Sequence, residues 1–172
     1  MSNAKEHYID QYHPQIKMSP INKMTYEYIG SLDAKIVFEF GCNIGRHILK
    51  FRRMGLKPFG IDVNATSIFY ARFLHKLENV DVGDELSLKD IPNNSFDLVF
   101  TNSVLCHIEN IDDILKDLKR ISKRHLITVE AIKRQGVHWW LHEYPGERIF
   151  FQKSIQNKLY TLNHYNECES DK

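Results

Sequence analysis

Between residues 35 and 130 the chain alternates between two apolar patterns. Lys35–Phe40 (KIVFEF), Phe59–Val63, Phe96–Thr101 (FDLVFT) and His125–Val129 are short runs rich in β-branched and aromatic residues, which predicts buried strands. Val80 and Val82 add a short strand between the second and third of these runs. Ile44–Met54, Ala65–Glu78 and Ile111–Ser122 instead carry apolar residues at three- and four-residue steps, as in Ile111, Ile114, Leu115, Leu118 and Ile121. That spacing predicts amphipathic helices, the first stopping at Gly55. Strand–helix units of this length imply an α/β fold, a doubly wound and mostly parallel sheet with helices on both faces.

The flanks read differently. Residues 1–34 are polar and aromatic, an arm with a short helix over 21–31 leading into the core. After Arg134 the rhythm breaks into QGVHWWLHEYPGE. Arg148–Lys153 and Lys158–Tyr165 are then expected as short antiparallel strands around Ser154–Asn157, and the last residues as a frayed end. The whole reads as one domain, with cofactor-binding core 35–134 and substrate-side segment 135–172.

Composition narrows the class. Lys plus Arg number 23 against 22 for Asp plus Glu, without the basic excess of a nucleic-acid binder. No run of 18 apolar residues occurs and the first residues lack an apolar signal core, so a cytoplasmic protein with no membrane partner is expected. Cys42, Cys106 and Cys168 form no close pair and no metal-like spacing, and neither do His7 and His13, so reduced thiols and no metal site are expected. A homo-oligomer stays open.

The segment Val37–Arg46 (VFEFGCNIGR) carries the chemistry. A buried strand ends at Glu39-Phe40-Gly41, a turn passes through Cys42 and Asn43, and Gly45 opens the next helix. In an open parallel sheet ligands sit beyond the carboxyl ends of the strands, and Gly41 lets the backbone approach one. The pattern is E-x-G-x-x-x-G rather than the G-x-G-x-x-G that seats a pyrophosphate. A carboxylate at Glu39 suits a ligand with a positive amino group; the alternative is a tight turn with an incidental acid. Seventeen residues after Gly45, Asp62 in GIDVN ends the second strand. It is placed either to accept both ribose hydroxyls or to cap the next helix, a task Asn64 or Thr66 would serve equally well.

With these motifs in order, residues 35–130 resemble the class I, Rossmann-like S-adenosylmethionine-dependent methyltransferases, of the small-molecule type. VFEFGCNIG resembles the first motif of the family, GIDVN its ribose-binding acid, VGDELSLKDIPNNSFDLVF the stretch from the adenine loop into the fourth strand, and NSVLCHI the substrate-side turn. The resemblance implies S-adenosylmethionine as cofactor and S-adenosylhomocysteine as product. It implies Asp84 at the adenine amine, the Glu85 backbone at the ring, Ile61, Val63 and Leu86 flanking it, and Asn102 and Ser103 near the methionine end. Asn43 stands where many members have a middle glycine.

The sulfonium methyl is already activated, so the protein chiefly orients an acceptor and excludes water. His107, after the fourth strand, is the candidate general base; otherwise it is an ordinary residue at a helix start. His138, Trp139, Trp140, His142, Glu143 and Tyr144 are candidates for a substrate wall, against the alternative of a loop packing its aromatics on the sheet edge. Tyr8, Tyr12 and His13 are either a lid or a plain arm. No [DN]-P-P-[YF] run follows the fourth strand and there is no basic extension, so the expected acceptor is a small molecule, a sugar or a biosynthetic intermediate, and not a nucleic acid. Two other readings stay open: a methyltransferase-like binding or regulatory protein without turnover, and a nicotinamide-dependent oxidoreductase.

Overall fold

The computed structural model describes residues 20–131, 140–144, 147–149 and 160–166. Helix α1 (Pro20–Gly30) enters the core and is followed by β1 (Ile36–Phe40), α2 (Arg46–Arg53), β2 (Lys57–Asp62), α3 (Ala65–His75) and β3 (Val80–Val82). Then come a 3-10 turn (Ser87–Asp90), β4 (Phe96–Asn102), a second 3-10 turn (Leu105–His107), α4 (Asp112–Ile121), β5 (Ser122–Ala131), β6 (Glu147–Ile149) and β7 (Tyr160–Asn166). The strands form one sheet in the order β3-β2-β1-β4-β5-β7-β6. β1 to β5 pair in parallel, while β7 runs antiparallel to both β5 and β6.

Alternation along the central strands divides the interior into layers. Val37, Leu98, Phe100, Ile127, Val129 and Leu162 face Ile21, Tyr26 and Ile29 of α1 and Phe51 of α2. Phe38, Phe40, Val99 and Leu126 face the apolar stripe Ile114, Leu115, Leu118 and Ile121 of α4, with Tyr144 and Tyr165 in the same cluster. Cys42, Ile48, Ile68, Ala71, Leu77 and Val80 form a smaller cluster around α2, α3 and β3. The doubly wound sheet read from the sequence is thus observed, with its antiparallel C-terminal pair.

Several boundaries move for local reasons. The helix expected from Ile44 starts only at Arg46, because Asn43 (φ 49°) and Gly45 (φ 78°) both adopt left-handed backbone. The helix expected to reach Glu78 stops at His75, where Lys76 turns left-handed (φ 52°). Ser122, expected at the end of a helix, instead opens β5, which is ten residues long rather than the five of His125–Val129. β6 begins at Glu147, one residue earlier than expected; residues 150–153 lie outside the described residues. α1 buries Ile21, Tyr26 and Ile29, so this part of the N-terminal arm belongs to the core.

Candidate functional site

The polar groups of interest gather at the carboxyl ends of β1, β2, β4 and β5, beside the chain reversal between β1 and β4. The turn after β1 has left-handed backbone at Gly41 (φ 79°), Asn43 and Gly45. A Cβ at Gly41 would meet the side chain of Val104 and one at Gly45 that of Leu77, so either would force its neighbour to shift, in backbone that L side chains rarely adopt; Val104, and not open space for a ligand, stands in front of Gly41. Asn43 holds the middle left-handed position as asparagine often does, its Oδ1 accepting the Ile44 amide at 2.8 Å. The departure from glycine therefore keeps the turn.

Asp62 closes this turn from β2. Its Oδ2 accepts the Asn43 amide at 2.7 Å and its Oδ1 the Asn64 amide at 2.8 Å. The cap of α3 is Asn64, whose side chain accepts the Ser67 amide, so the capping alternative falls to Asn64 and not to Asp62. Burial raises the Asp62 pKa, while the two backbone amides pull it down. Each of its oxygens has a second lone pair to offer.

Glu39 is 1% exposed and its Oε2 has no hydrogen-bond partner among the described residues. Burial first, then the Asp62 charge, push its carboxyl well above the usual range, with Arg46 pulling the other way. Next to it a polar chain crosses from α1 to β4. His47 is buried and its pKa falls to about 3, first through burial and then through Arg46, so its ring is neutral. The Asn102 amide donates to Asn22 Oδ1 at 3.0 Å and to His47 Nε2 at 3.3 Å, while Asn102 Oδ1 accepts from the Ser103 hydroxyl at 3.0 Å. His47 then carries its proton on Nδ1 and donates it to the Tyr26 oxygen at 2.6 Å. Sequence reasoning singled out Asn102 and Ser103 but missed Asn22, Tyr26 and His47. The only available signal was the four-residue spacing of Asn22 and Tyr26 on one face of a helix.

In the loop after β3, Asp84 Oδ1 accepts from the Leu86 amide at 3.0 Å and the Ser87 amide at 3.3 Å, folding the 3-10 turn behind it. Glu85 lies in the same loop, Val63 follows β2, and Ile61 is buried within it. On the other side His107, half-buried, ends the 3-10 turn after β4 and gives its amide to the Val104 carbonyl at 2.9 Å. The turn opens on Ser103 in left-handed backbone (φ 57°).

Segment 140–144 lies against this turn. The Trp140 amide donates to the Cys106 carbonyl at 2.8 Å, and His142 Nε2 donates to the Ile108 carbonyl at 2.8 Å. Trp140 is half-buried, Glu143 exposed and Tyr144 buried in the α4-side cluster. His138, Trp139, Tyr8, Tyr12 and His13 lie outside the described residues. Among the described residues no group of three or more His, Cys, Asp or Glu could hold a metal ion, and no helix is long and apolar enough to cross a membrane.

A family model described as a methyltransferase domain matches residues 38–126, and the chain belongs to this family. Its fold is that of the class I enzymes, whose cofactor is S-adenosylmethionine. The tRNA U34 carboxymethyltransferase of Colwellia psychrerythraea is 32% identical over 135 residues, 75% of this chain and 41% of that protein. The chain therefore spans about two-fifths of the length of this relative. A Pyrococcus horikoshii protein superposes with a TM-score of 0.61 at 20% identity, over 73% of this chain and 66% of that one. An S-adenosylmethionine-dependent methyltransferase from Methanosarcina mazei gives 0.54 at 20% identity, over 66% and 58%. At these identities the likeness is one of fold.

Proposed function

We propose that the chain transfers the methyl group of S-adenosylmethionine to an oxygen or nitrogen of a small-molecule acceptor, such as a sugar or a biosynthetic intermediate. The observation that carries this reading is the Glu39 carboxyl, buried with Oε2 unpartnered among the described residues, beside the left-handed turn at Gly41, Asn43 and Gly45. An unpartnered buried carboxyl oxygen costs about 1–3 kcal/mol, which a cationic amino group from the ligand offsets. Glu39 then holds the amino group, with Asn102, Ser103 and the Cys42–Gly45 backbone around the methionine end. Asp62 receives the ribose hydroxyls on the lone pairs its backbone amides leave, and Asp84, Glu85 and Val63 border the adenine. The bound cofactor supplies an electrophilic methyl group on a sulfonium.

The remaining work belongs to the chain. His107 takes the proton an acceptor hydroxyl or ammonium must lose, and Trp140 and Glu143 border the acceptor, while Tyr144, buried in the α4-side cluster, is not available to touch it. Titration with S-adenosylhomocysteine in a calorimeter should show one site per chain; absence of binding would sink this reading. Release of S-adenosylhomocysteine should then appear with members of a panel of sugars and small hydroxyl or amine compounds.

An RNA acceptor is the second reading, favoured by the likeness to a tRNA-modifying protein. A near-neutral chain, with 23 basic and 22 acidic residues, offers little counterion release to a polyanion. Methyl transfer to bulk tRNA and none to the small-molecule panel would decide for this second reading.

A further inference from the structure

Glu130, at the carboxyl end of β5, plays no part in the scheme above, yet it reaches three amides of the turn that carries His107. Its carboxylate is fully buried. Oε1 accepts the amides of Val104 and Leu105, each at 3.2 Å, and Oε2 accepts that of Cys106 at 3.2 Å. These amides start the 3-10 turn that ends at His107, whose own leading residue, Val104, provides no side-chain cap. A carboxylate from a neighbouring strand thus satisfies the orphan donors that a local Ser, Thr or Asp usually takes. Val104 is also the side chain that fills the space in front of Gly41, and the Cys106 carbonyl receives the Trp140 amide.

Resting on the methyltransferase reading, we infer that Glu130 is a positioning residue: ionised, it holds the turn after β4 so that Val104 abuts the cofactor turn and His107 faces the acceptor. The carboxylate accepts at both oxygens, whereas a protonated carboxyl must turn one O–H toward donors. Burial raises its pKa to about 7, against the pull of the three amides and the Cys106 thiol. The other titratable groups facing it are the Cys106 thiol and the Tyr144 phenol, with Tyr165 of β7 beyond, and burial pushes all three upward. Glu130 alone in this cluster changes charge near neutrality.

The test is amide hydrogen exchange of residues 104–106, corrected for intrinsic rates, on the full chain, with S-adenosylhomocysteine affinity measured in parallel. The global stability contribution of Glu130 has the sign that its raised folded pKa sets: it is present below the ordinary glutamate range and lost as pH rises through about 7. At pH 8, Glu130→Gln should exchange 104–106 at least about tenfold faster and bind S-adenosylhomocysteine about 3- to 10-fold more weakly. Unchanged protection in the variant overturns the proposal. So does lost protection with unchanged affinity, which would leave Glu130 a cap and nothing more. If Glu130→Gln does not fold, Glu130→Asp, which keeps the charge but draws it back by one methylene, should show the same loss of protection, and unchanged protection there overturns the proposal. If S-adenosylhomocysteine fails to bind the unmodified protein while the exchange behaves as described, the methyltransferase reading fails and the role of Glu130 in the turn stands.

Discussion

The two halves of the candidate site are built by different means. On the β1–β3 side, function is proposed for groups whose geometry is set within a few residues: Gly41, Asn43 and Gly45 in left-handed backbone, and Asp62 bonded to the Asn43 and Asn64 amides. On the β4–β5 side, the His107 turn is held by Glu130, 24 to 26 residues away, and by Trp140 and His142, 34 residues from their partners. The first half is a rigid cradle of backbone and short side chains. The second is a turn suspended between a buried charge below and an irregular segment above. Cofactor recognition, common to a family, suits the first construction; acceptor recognition, which varies within one fold, suits the second.

If the cradle is rigid, intrusion into it should do the most damage. Gly41→Val places a branched side chain in left-handed backbone and against Val104. Strain of about 1–2 kcal/mol and overpacking of about 1–3 kcal/mol add, so denaturant unfolding should show a loss of several kcal/mol and calorimetry no measurable cofactor binding. A variant that folds and binds normally would mean that Val104 moves freely and that the two halves are not in register.

Asp62→Ala should come next. Loss of a charge-assisted ribose contact weakens binding by about 10- to 100-fold, and the Asn43 and Asn64 amides lose their shared acceptor. Unchanged affinity, measured by calorimetry, would remove Asp62 from the site.

Glu39 should produce a smaller and pH-dependent effect. Burial and the Asp62 charge raise its pKa, so in the free protein the carboxyl holds a proton to higher pH than an ordinary glutamate. A cationic amino group beside it favours the ionised form, so binding releases that proton. Affinity should therefore rise with pH until the raised value is passed, by up to about tenfold per pH unit below it. Calorimetry in two buffers of different ionisation enthalpy reads the released proton directly, and Glu39→Gln should abolish it. Proton uptake on binding would reverse the sign and refute the pairing.

The same contrast explains what the sequence revealed. Strands such as KIVFEF and FDLVFT, and the helix stripe from Ile111 to Ile121, were legible because one period of apolar residues matches one buried face. Glu39 and Asp62 stood out because each is an acid at a strand end beside a glycine turn, and the structure brings both to that turn, where Asp62 accepts the Asn43 amide. Glu130 lies at the end of β5 in the same way, in HLITVEA, but its partners are amides of another turn, and nothing in local spacing announces them. Asn22, Tyr26 and His47 were hidden for the same reason: their hydrogen bonds join α1, α2 and β4, elements far apart in the chain. The early stop of α3 at His75 escaped notice because Lys76 gives no sign of adopting the left-handed conformation that ends it.

The smallest expected effect tests whether the one departure in the cofactor motif matters at all. Asn43 occupies left-handed backbone (φ 49°), a conformation glycine adopts without cost and asparagine with little. Its amide donates to Asp62, a bond that any residue except proline preserves, while its own Oδ1 accepts only the Ile44 amide of the same turn. Asn43→Gly therefore loses one local side-chain bond and relieves a small strain, and the two nearly cancel; stability and cofactor affinity should move by less than about 0.5 kcal/mol. Asn43→Val keeps the backbone bond to Asp62 but forces a β-branched residue into the left-handed region, at a cost of about 1–2 kcal/mol. The pair of variants separates backbone shape from side-chain chemistry at this position. Should Asn43→Gly weaken binding tenfold, the asparagine amide itself would touch the ligand, and the cradle would be made of more than its backbone.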